Sequence, residues 1–342
     1  MSVPPPNIQR LDGFDDPRGT PAKWNALLPH GGTDTVFLTW EYQRAWWNSF
    51  ERTGLLLLAA ERDGELLAIA PCFAEEGMVY FVGSGGSDYL DFLGDISAPE
   101  VLDGLLCYAR HIVPEFTGFR FFHMPDKSPA CGLLRASALR LGLVLHEESI
   151  QSAPATQLGV DRAADLALTQ KKSLLRHEAW FRRSGPLEVL HHSKADEIEP
   201  YLEEFFQQHI ARWDATPYPS LFHDPRQRRF YRALTQSASP AGWLRFTRVE
   251  SNGHPIAFHF GFAYRGTFMW YKPAFAIDFA RHSPGEVLLR QLLLQAIREN
   301  ADTFDFGLGE EPFKQRFATH AQTVRDFGLY PAESLCKVIV TQ

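Results

Sequence analysis

The chain has 342 residues, 45% hydrophobic and 22% charged, with a formal net charge of -7 and a sequence pI near 6.0. That length suits two domains and the apolar content gives each a core, which excludes disorder for most of the chain. The acidic balance offers no global attraction to DNA or to an anionic membrane, and no apolar run approaches a bilayer span or a signal core. The sequence therefore reads as soluble, cytoplasmic and not inserted in a membrane. Cys72, Cys107, Cys131 and Cys336 lack paired spacing and read as reduced, mostly buried thiols. Adjacent His191 and His192 would point to opposite faces of a strand, so no metal site is expected.

Residues 1–32 carry Pro4-Pro5-Pro6, Pro17, Pro21, Pro29 and Gly31-Gly32 with little periodicity and read as an extended leader. Thr39 then caps a helix through Trp46, Trp47 and Phe50. A strand meander follows: Leu55 to Glu61, a turn at Asp63-Gly64, Leu66 to Phe73, Gly77, then Met78 to Val82. Val101 to Val113 reads as a helix, Phe119 to His123 as a strand and Leu133 to Leu141 as a helix.

The meander returns as Trp243 to Glu250, a turn at Asn252-Gly253, Ile256 to Tyr264, Gly266, then Thr267 to Tyr271. The turn glycines lie 253 - 64 = 189 residues apart, far beyond solenoid periods of about 20 to 50 residues, so the pattern implies two copies of one domain plan. Periodicity breaks at Ser152, Ala153, Pro154 and Ala155, which places the halves at 33–155 and 156–342. The basic helix Thr169 to Ser184 carries Lys171, Lys172, Arg176, Arg182 and Arg183 against a single Glu178. It is either a solvated face or a contact for phosphates.

After the strand ending at Tyr271, Ser283 supplies an N-cap oxygen, Pro284 fits the first helical position and Glu286 completes a capping box. Val287, Leu288, Leu292, Leu293, Ala296 and Ile297 form one apolar face, Asn300 is the stop, and Thr303-Phe304-Asp305-Phe306-Gly307 reads as the next strand. A helix N-terminus beside a strand end presents free N–H groups and the positive end of the helix dipole, which suits a pyrophosphate. The bland alternative is a good helix start and nothing more.

The order of these features resembles the GNAT superfamily, specifically the acetyltransferase branch associated with bacterial cellulose and exopolysaccharide biosynthesis (CelD-like). The features are Lys171-Lys172-Ser173-Leu174-Leu175-Arg176, Arg212-Trp213, Asp224-Pro225, Gly253-His254-Pro255-Ile256-Ala257, Tyr271-Lys272-Pro273-Ala274-Phe275, Ser283-Pro284-Gly285 and Asp305-Phe306-Gly307. The resemblance implies an α/β (α+β) fold of tandem GNAT-like domains, each a mixed, mostly antiparallel sheet flanked by helices. Only the second half is expected to hold a donor. The usual pyrophosphate loop reads Gln or Arg, two residues, Gly, one residue, Gly or Ala; anchoring on Gly285 gives His282 first and Val287 last. The branch is also similar to Fem-type peptidyl transferases, which draw an aminoacyl group from tRNA.

These readings define the expected site. Arg281, His282, Ser283, Gly285 and Glu286 would hold acyl-CoA (acetyl-CoA) as co-substrate, with no metal. Alternation turns Asp305 away from Phe304 and Phe306, as a catalytic base or as a carboxylate holding a loop N–H. His259 is a second base candidate or a satisfied histidine within the sheet. Tyr271 and Lys272 at a strand end, and Asp88, Tyr89 and Asp91 after a glycine-rich turn, would meet a small-molecule amine acceptor. The resemblance implies that Lys314 contacts an anionic group of that acceptor. The expected reaction is N-acyl transfer by direct attack. The alternatives are a Fem-type transferase using aminoacyl-tRNA and a non-catalytic partner in polysaccharide biosynthesis. Oligomeric state is left open.

Overall fold

The computed structural model describes residues 4–332. The described chain forms two compact units, one holding 4–152 together with 322–332, the other Ala153–Ala321.

The first unit runs β1 (Asn7–Arg10), α1 (Pro21–Leu27), α2 (Trp40–Phe50), β2 (Leu55–Arg62), β3 (Glu65–Glu75), β4 (Met78–Phe81), the short β5 (Leu93–Gly94), α3 (Pro99–Ile112), β6 (Gly118–Pro125), α4 (Pro129–Arg140) and the first part of β7 (Leu143–Gln157). The expected leader is corrected: β1 pairs antiparallel with β2, and Trp24 and Leu28 are buried. The proline-rich stretch thus contributes a strand and a core helix, whose first turn starts at Pro21 with Thr20 accepting the Lys23 N–H. Thr39 caps α2 as its chemistry dictates, its Oγ1 accepting the Tyr42 N–H at 3.3 Å. The strand His320–Pro331 pairs with β6, so this unit recruits residues from the far end of the chain.

The second unit runs α5 (Arg162–Thr169), α6 (Lys172–Ser184), β8 (Leu187–His192), α7 (Ala195–Ile198), α8 (Leu202–Trp213), α9 (Pro225–Ala241), β9 (Leu244–Ser251), β10 (His254–Tyr264), β11 (Thr267–Phe275), α10 (Pro284–Arg298), β12 (Thr303–Asp305) and α11 (Pro312–Gln315). Its sheet has the order β8-β9-β10-β11-β12. On one face, α10 buries Val287, Leu288, Leu292, Leu293, Ala296 and Ile297 against Ala257, Phe268, Phe304, Phe306 and the α6 residues Leu174 and Phe181. Each of the large aliphatic chains contributes roughly 1.5–3 kcal/mol of transfer free energy. On the other face Phe205 of α8 packs on Phe258 and Phe260 of β10. The expected basic helix starts three residues later than Thr169, as α6, because Gln170 and Lys171 separate it from the end of α5.

The repeat is visible in strand pairing. In the first unit the antiparallel run β2-β3-β4 is followed through α3 by β6, parallel to β4 over Met78↔Gly118, Val79↔Phe119 and Tyr80↔Arg120. In the second, β9-β10-β11 is followed through α10 by β12, parallel to β11 over Thr267↔Thr303, Phe268↔Phe304 and Met269↔Asp305. Both units are therefore mixed, mostly antiparallel sheets flanked by helices.

Candidate functional site

Parallel pairing of β11 with β12 stops at Met269↔Asp305, while β11 continues to Phe275. Beyond that point the chain after β12 turns to another partner, since the Phe306 N–H bonds to the Pro154 carbonyl at 3.0 Å. The strands part, and a cavity of about 230 Å³ opens where α10 begins. Ser283, Gly285 and Glu286 line it from the helix start, Trp270 and Phe275 from β11, and Phe313 from α11. Leu289 of α10 and Arg212, near the end of α8, also line it.

The helix start differs from the capping box expected. Ser283 sits in the left-handed region (φ 53°, ψ 58°) and its hydroxyl makes no cap bond. The 3₁₀ turn Ile277–His282 leads directly into this residue. The Ser283 carbonyl instead accepts from Glu286 N–H (3.0 Å) and Val287 N–H (3.4 Å). Glu286 turns to Arg316, 2.7 Å away, and this pairing helps hold its carboxyl below the usual range against the opposing effect of burial. Pro284 has no N–H, so the Gly285 N–H, which finds no protein acceptor among the described residues, is the first free donor of α10.

Arg212 is the positively charged residue that lines the cavity, which Glu286 also lines. Its Nη1 donates to the Pro273 carbonyl at 2.7 Å, and its guanidinium lies 4.6 Å from the centre of the Phe275 ring and 5.0 Å from that of Trp213. It forms no ion pair among the described residues. Burial pushes its pKa down to about 10, with a smaller opposing pull from Glu311, so it stays charged at neutral pH. A guanidinium packed near two aromatic rings, with no ion pair among the described residues, keeps donors that could meet an anion at the helix start.

The structure separates the other expected residues from this cavity. Arg281 and His282 lie outside it: His282 stacks on Trp180 with centroids 3.5 Å apart, and Arg281 donates to His282. Asp305 is 7% exposed and its Oδ1 accepts the Gly307 N–H at 2.7 Å, so it holds the turn after β12 rather than facing a reacting atom. His259 is fully buried, and burial pushes its pKa down to about 3; it is corrected as a general base because no substrate proton can reach it. Tyr271 is buried against Tyr231 and Phe262, and Lys272 lies over the Tyr271 ring. Lys314 is 3% exposed, tied to the Leu308 carbonyl at 2.6 Å and to Glu311 at 2.8 Å.

In the first unit the corresponding parting of strands is filled by the chain itself. Leu90 N–H bonds to the His123 carbonyl, and Tyr89, Leu90, Asp91 and Phe92 are buried. Tyr89 and Asp91 are thereby corrected as acceptor contacts: Asp91 accepts from Thr33 Oγ1 at 2.6 Å and from the Phe92 N–H, and burial pushes its pKa up to about 6. Asp88 is half-buried. Cys72 is buried, Cys131 half-buried and Cys107 exposed, which corrects the expectation of mostly buried thiols; Cys336 lies outside the described residues. Among the described residues no side-chain cluster could hold a metal ion and no helix is long and apolar enough to cross a membrane.

Burial also makes the second unit acid-sensitive. His209 and His259 are pushed down to about 3 and His191 to about 4, desolvation being the largest cause in each. Their folded values lie below the unfolded value near 6.5, so the unfolded chain takes up protons first. Stability is full above that value and is lost as pH falls toward 4, by roughly several kcal/mol for the three together. Scanning calorimetry from pH 7 to 4 should show a steady fall in Tm before the carboxylates titrate. A flat Tm down to pH 5 would show that these imidazoles charge without cost.

Strands that part beside the start of a helix are the layout expected of a GNAT-like fold. Residues 169–315, which lie within the second unit, match the family described as an acetyltransferase (GNAT) domain. No curated protein sequence matches the chain. Among solved structures, FemX is similar over 97% of this chain and 99% of its own (TM-score 0.65, 10% identity). L-PGS from Bacillus licheniformis is similar over 94% and 95% (TM-score 0.56, 12% identity). A tandem GNAT protein from the clavulanic acid biosynthesis pathway is similar over 94% and 98% (TM-score 0.52, 12% identity). At such identities these likenesses establish the fold: tandem GNAT.

Proposed function

We propose that the second unit is an N-acyltransferase that takes its acyl group from acyl-CoA and passes it to the amine of a small molecule, sugar or amino acid by direct attack. The single observation that carries this reading is the cavity at the start of α10, where Arg212 and the Gly285 N–H offer two unspent donors beside an apolar wall of Trp270, Phe275 and Phe313. The donors suit the anionic tail of such a donor and the wall suits its uncharged arm. When bound, the thioester supplies the activated carbonyl. The amine nitrogen bonds to that carbon, the carbon–sulfur bond breaks, and the proton lost by nitrogen ends on the departing thiolate. The chain's share is to bind, orient and exclude water. The resemblance to the CelD-like branch supports a place beside exopolysaccharide synthesis, and the acidic sequence without a long apolar run supports a cytoplasmic location.

The α6 helix favours a second reading. Lys172, Arg176 and Arg183 make no ion pair among the described residues, and such a row suits the backbone of a charged tRNA as in Fem-type transfer. Calorimetry with acetyl-CoA, followed by an amine screen read by mass spectrometry, decides between them. Binding in the micromolar range with an amide product supports the first reading. Turnover only with aminoacyl-tRNA, abolished by ribonuclease, replaces it with the second. No product from either donor leaves the non-catalytic polysaccharide partner.

A further inference from the structure

The β10–β11 ladder breaks beside the cavity. Phe260 pairs with Lys272 but Phe262 pairs with Met269, so Gly261 alone faces both Trp270 and Tyr271. One residue too many on β11 makes a bulge and leaves a ladder N–H without its usual carbonyl. That N–H, of Tyr271, is taken by a side chain: it donates to His259 Nε2 at 3.2 Å. The imidazole lies across Gly261, where an added Cβ would come within 2.2 Å of His259 Cε1 and 2.5 Å of the Met269 carbonyl oxygen. Only glycine admits the ring there. The ring also stacks on Phe268 and on Trp270, with centroids 6.3 and 5.8 Å away. Trp270 faces the cavity on one side, is braced by Phe313 at 5.9 Å, and meets His259 on the other.

We propose that His259 is a positioning residue: its ring plugs the bulge, fixes the Tyr271 amide and sets Trp270 as the wall against which the donor lies. It touches no reacting atom. Its Nδ1 is buried with no partner among the described residues, an unsatisfied polar atom that an apolar side chain of similar size would avoid. The fold retains this cost because no aliphatic side chain can accept the Tyr271 N–H. The inference rests on the donor reading of the cavity for its functional arm alone.

The test compares His259→Gln, His259→Leu and the natural chain, each intact. Glutamine places an acceptor near the position of Nε2, whereas leucine fills the space without accepting. Amide hydrogen exchange over Thr267–Phe275, read by mass spectrometry, should speed by about tenfold at Tyr271 in the leucine variant and return toward the natural rate with glutamine. Acetyl-CoA binding by calorimetry should weaken by about tenfold with leucine and recover with glutamine. A purely structural role would lower both variants' melting temperatures while leaving Kd unchanged. Equal exchange in all three proteins overturns the plug. Altered exchange with unaltered Kd overturns its functional part. If the natural chain binds no acetyl-CoA, the donor reading fails, and the exchange arm, which needs no ligand, still decides the plug.

Discussion

Arg212→Met should leave the chain folded and cost about fiftyfold in affinity for acetyl-CoA. A buried guanidinium that meets an anion through charge-assisted hydrogen bonds contributes roughly 1.5–3 kcal/mol, which corresponds to about 10- to 150-fold. Stability should move the other way or not at all. In the free protein Arg212 is a desolvated charge with one carbonyl partner and two aromatic neighbours. Methionine matches its stem, packs on Trp213 and Phe275, and removes the uncompensated charge, although it frees the Pro273 carbonyl. A variant that binds worse while melting no lower is the signature of a group kept for a ligand. Arg212→Lys should recover part of the loss, since a lysine restores charge without the planar fork. Calorimetry and thermal melting on the same samples give both readouts. Natural affinity in Arg212→Met would remove the guanidinium from the binding of that donor.

Local chemistry made much of this fold legible. Gly64 and Gly253 announced the two hairpins, Thr39 the start of α2, and Asn300, in the left-handed region at φ 55°, the end of α10. Alternation also assigned faces correctly: Phe304 and Phe306 join the α10 core while Asp305 does not, and His259 points opposite Phe258 and Phe260. What alternation could not say is what covers each face. The face that His259 shares with Phe268 is sealed by α10, and Asp305 is spent on the Gly307 N–H. Reading an open cleft into either position required knowledge of packing that no local pattern holds.

The cavity was half legible for the same reason. Ser283, Gly285 and Glu286 fall within four consecutive residues, so a helix-start signature finds them together even though the cap itself failed. Arg212, Trp270 and Phe313 come from three distant elements and meet only through tertiary structure. The available signal for Arg212 was its place beside Trp213 at the end of α8, a motif quoted in the family resemblance without a role. In the first unit, Tyr89 and Asp91 carried suitable functional groups, but the segment bearing them plugs its own wedge.

Gly285→Leu should abolish detectable donor binding, a loss of more than about a hundredfold, by a route independent of charge. A Cβ at this position would point at the Phe275 ring, 3.4 Å from Cδ1, an ordinary contact with no backbone in the way. Alanine should therefore fit, add a few tenths of a kcal/mol or more through lower unfolded-state entropy, and weaken binding only severalfold. Leucine carries three further carbons into a cavity of about 230 Å³ that the donor needs, while the helix gains propensity. Both variants keep the main-chain N–H of residue 285, so their difference reports volume alone, whereas Arg212→Met reports charge alone. If leucine at 285 binds acetyl-CoA as the natural chain does, the donor lies elsewhere and Arg212 serves another anion. If leucine blocks binding while Arg212→Met does not, the cavity holds the donor's apolar arm and the helix N-terminus carries its charge unaided.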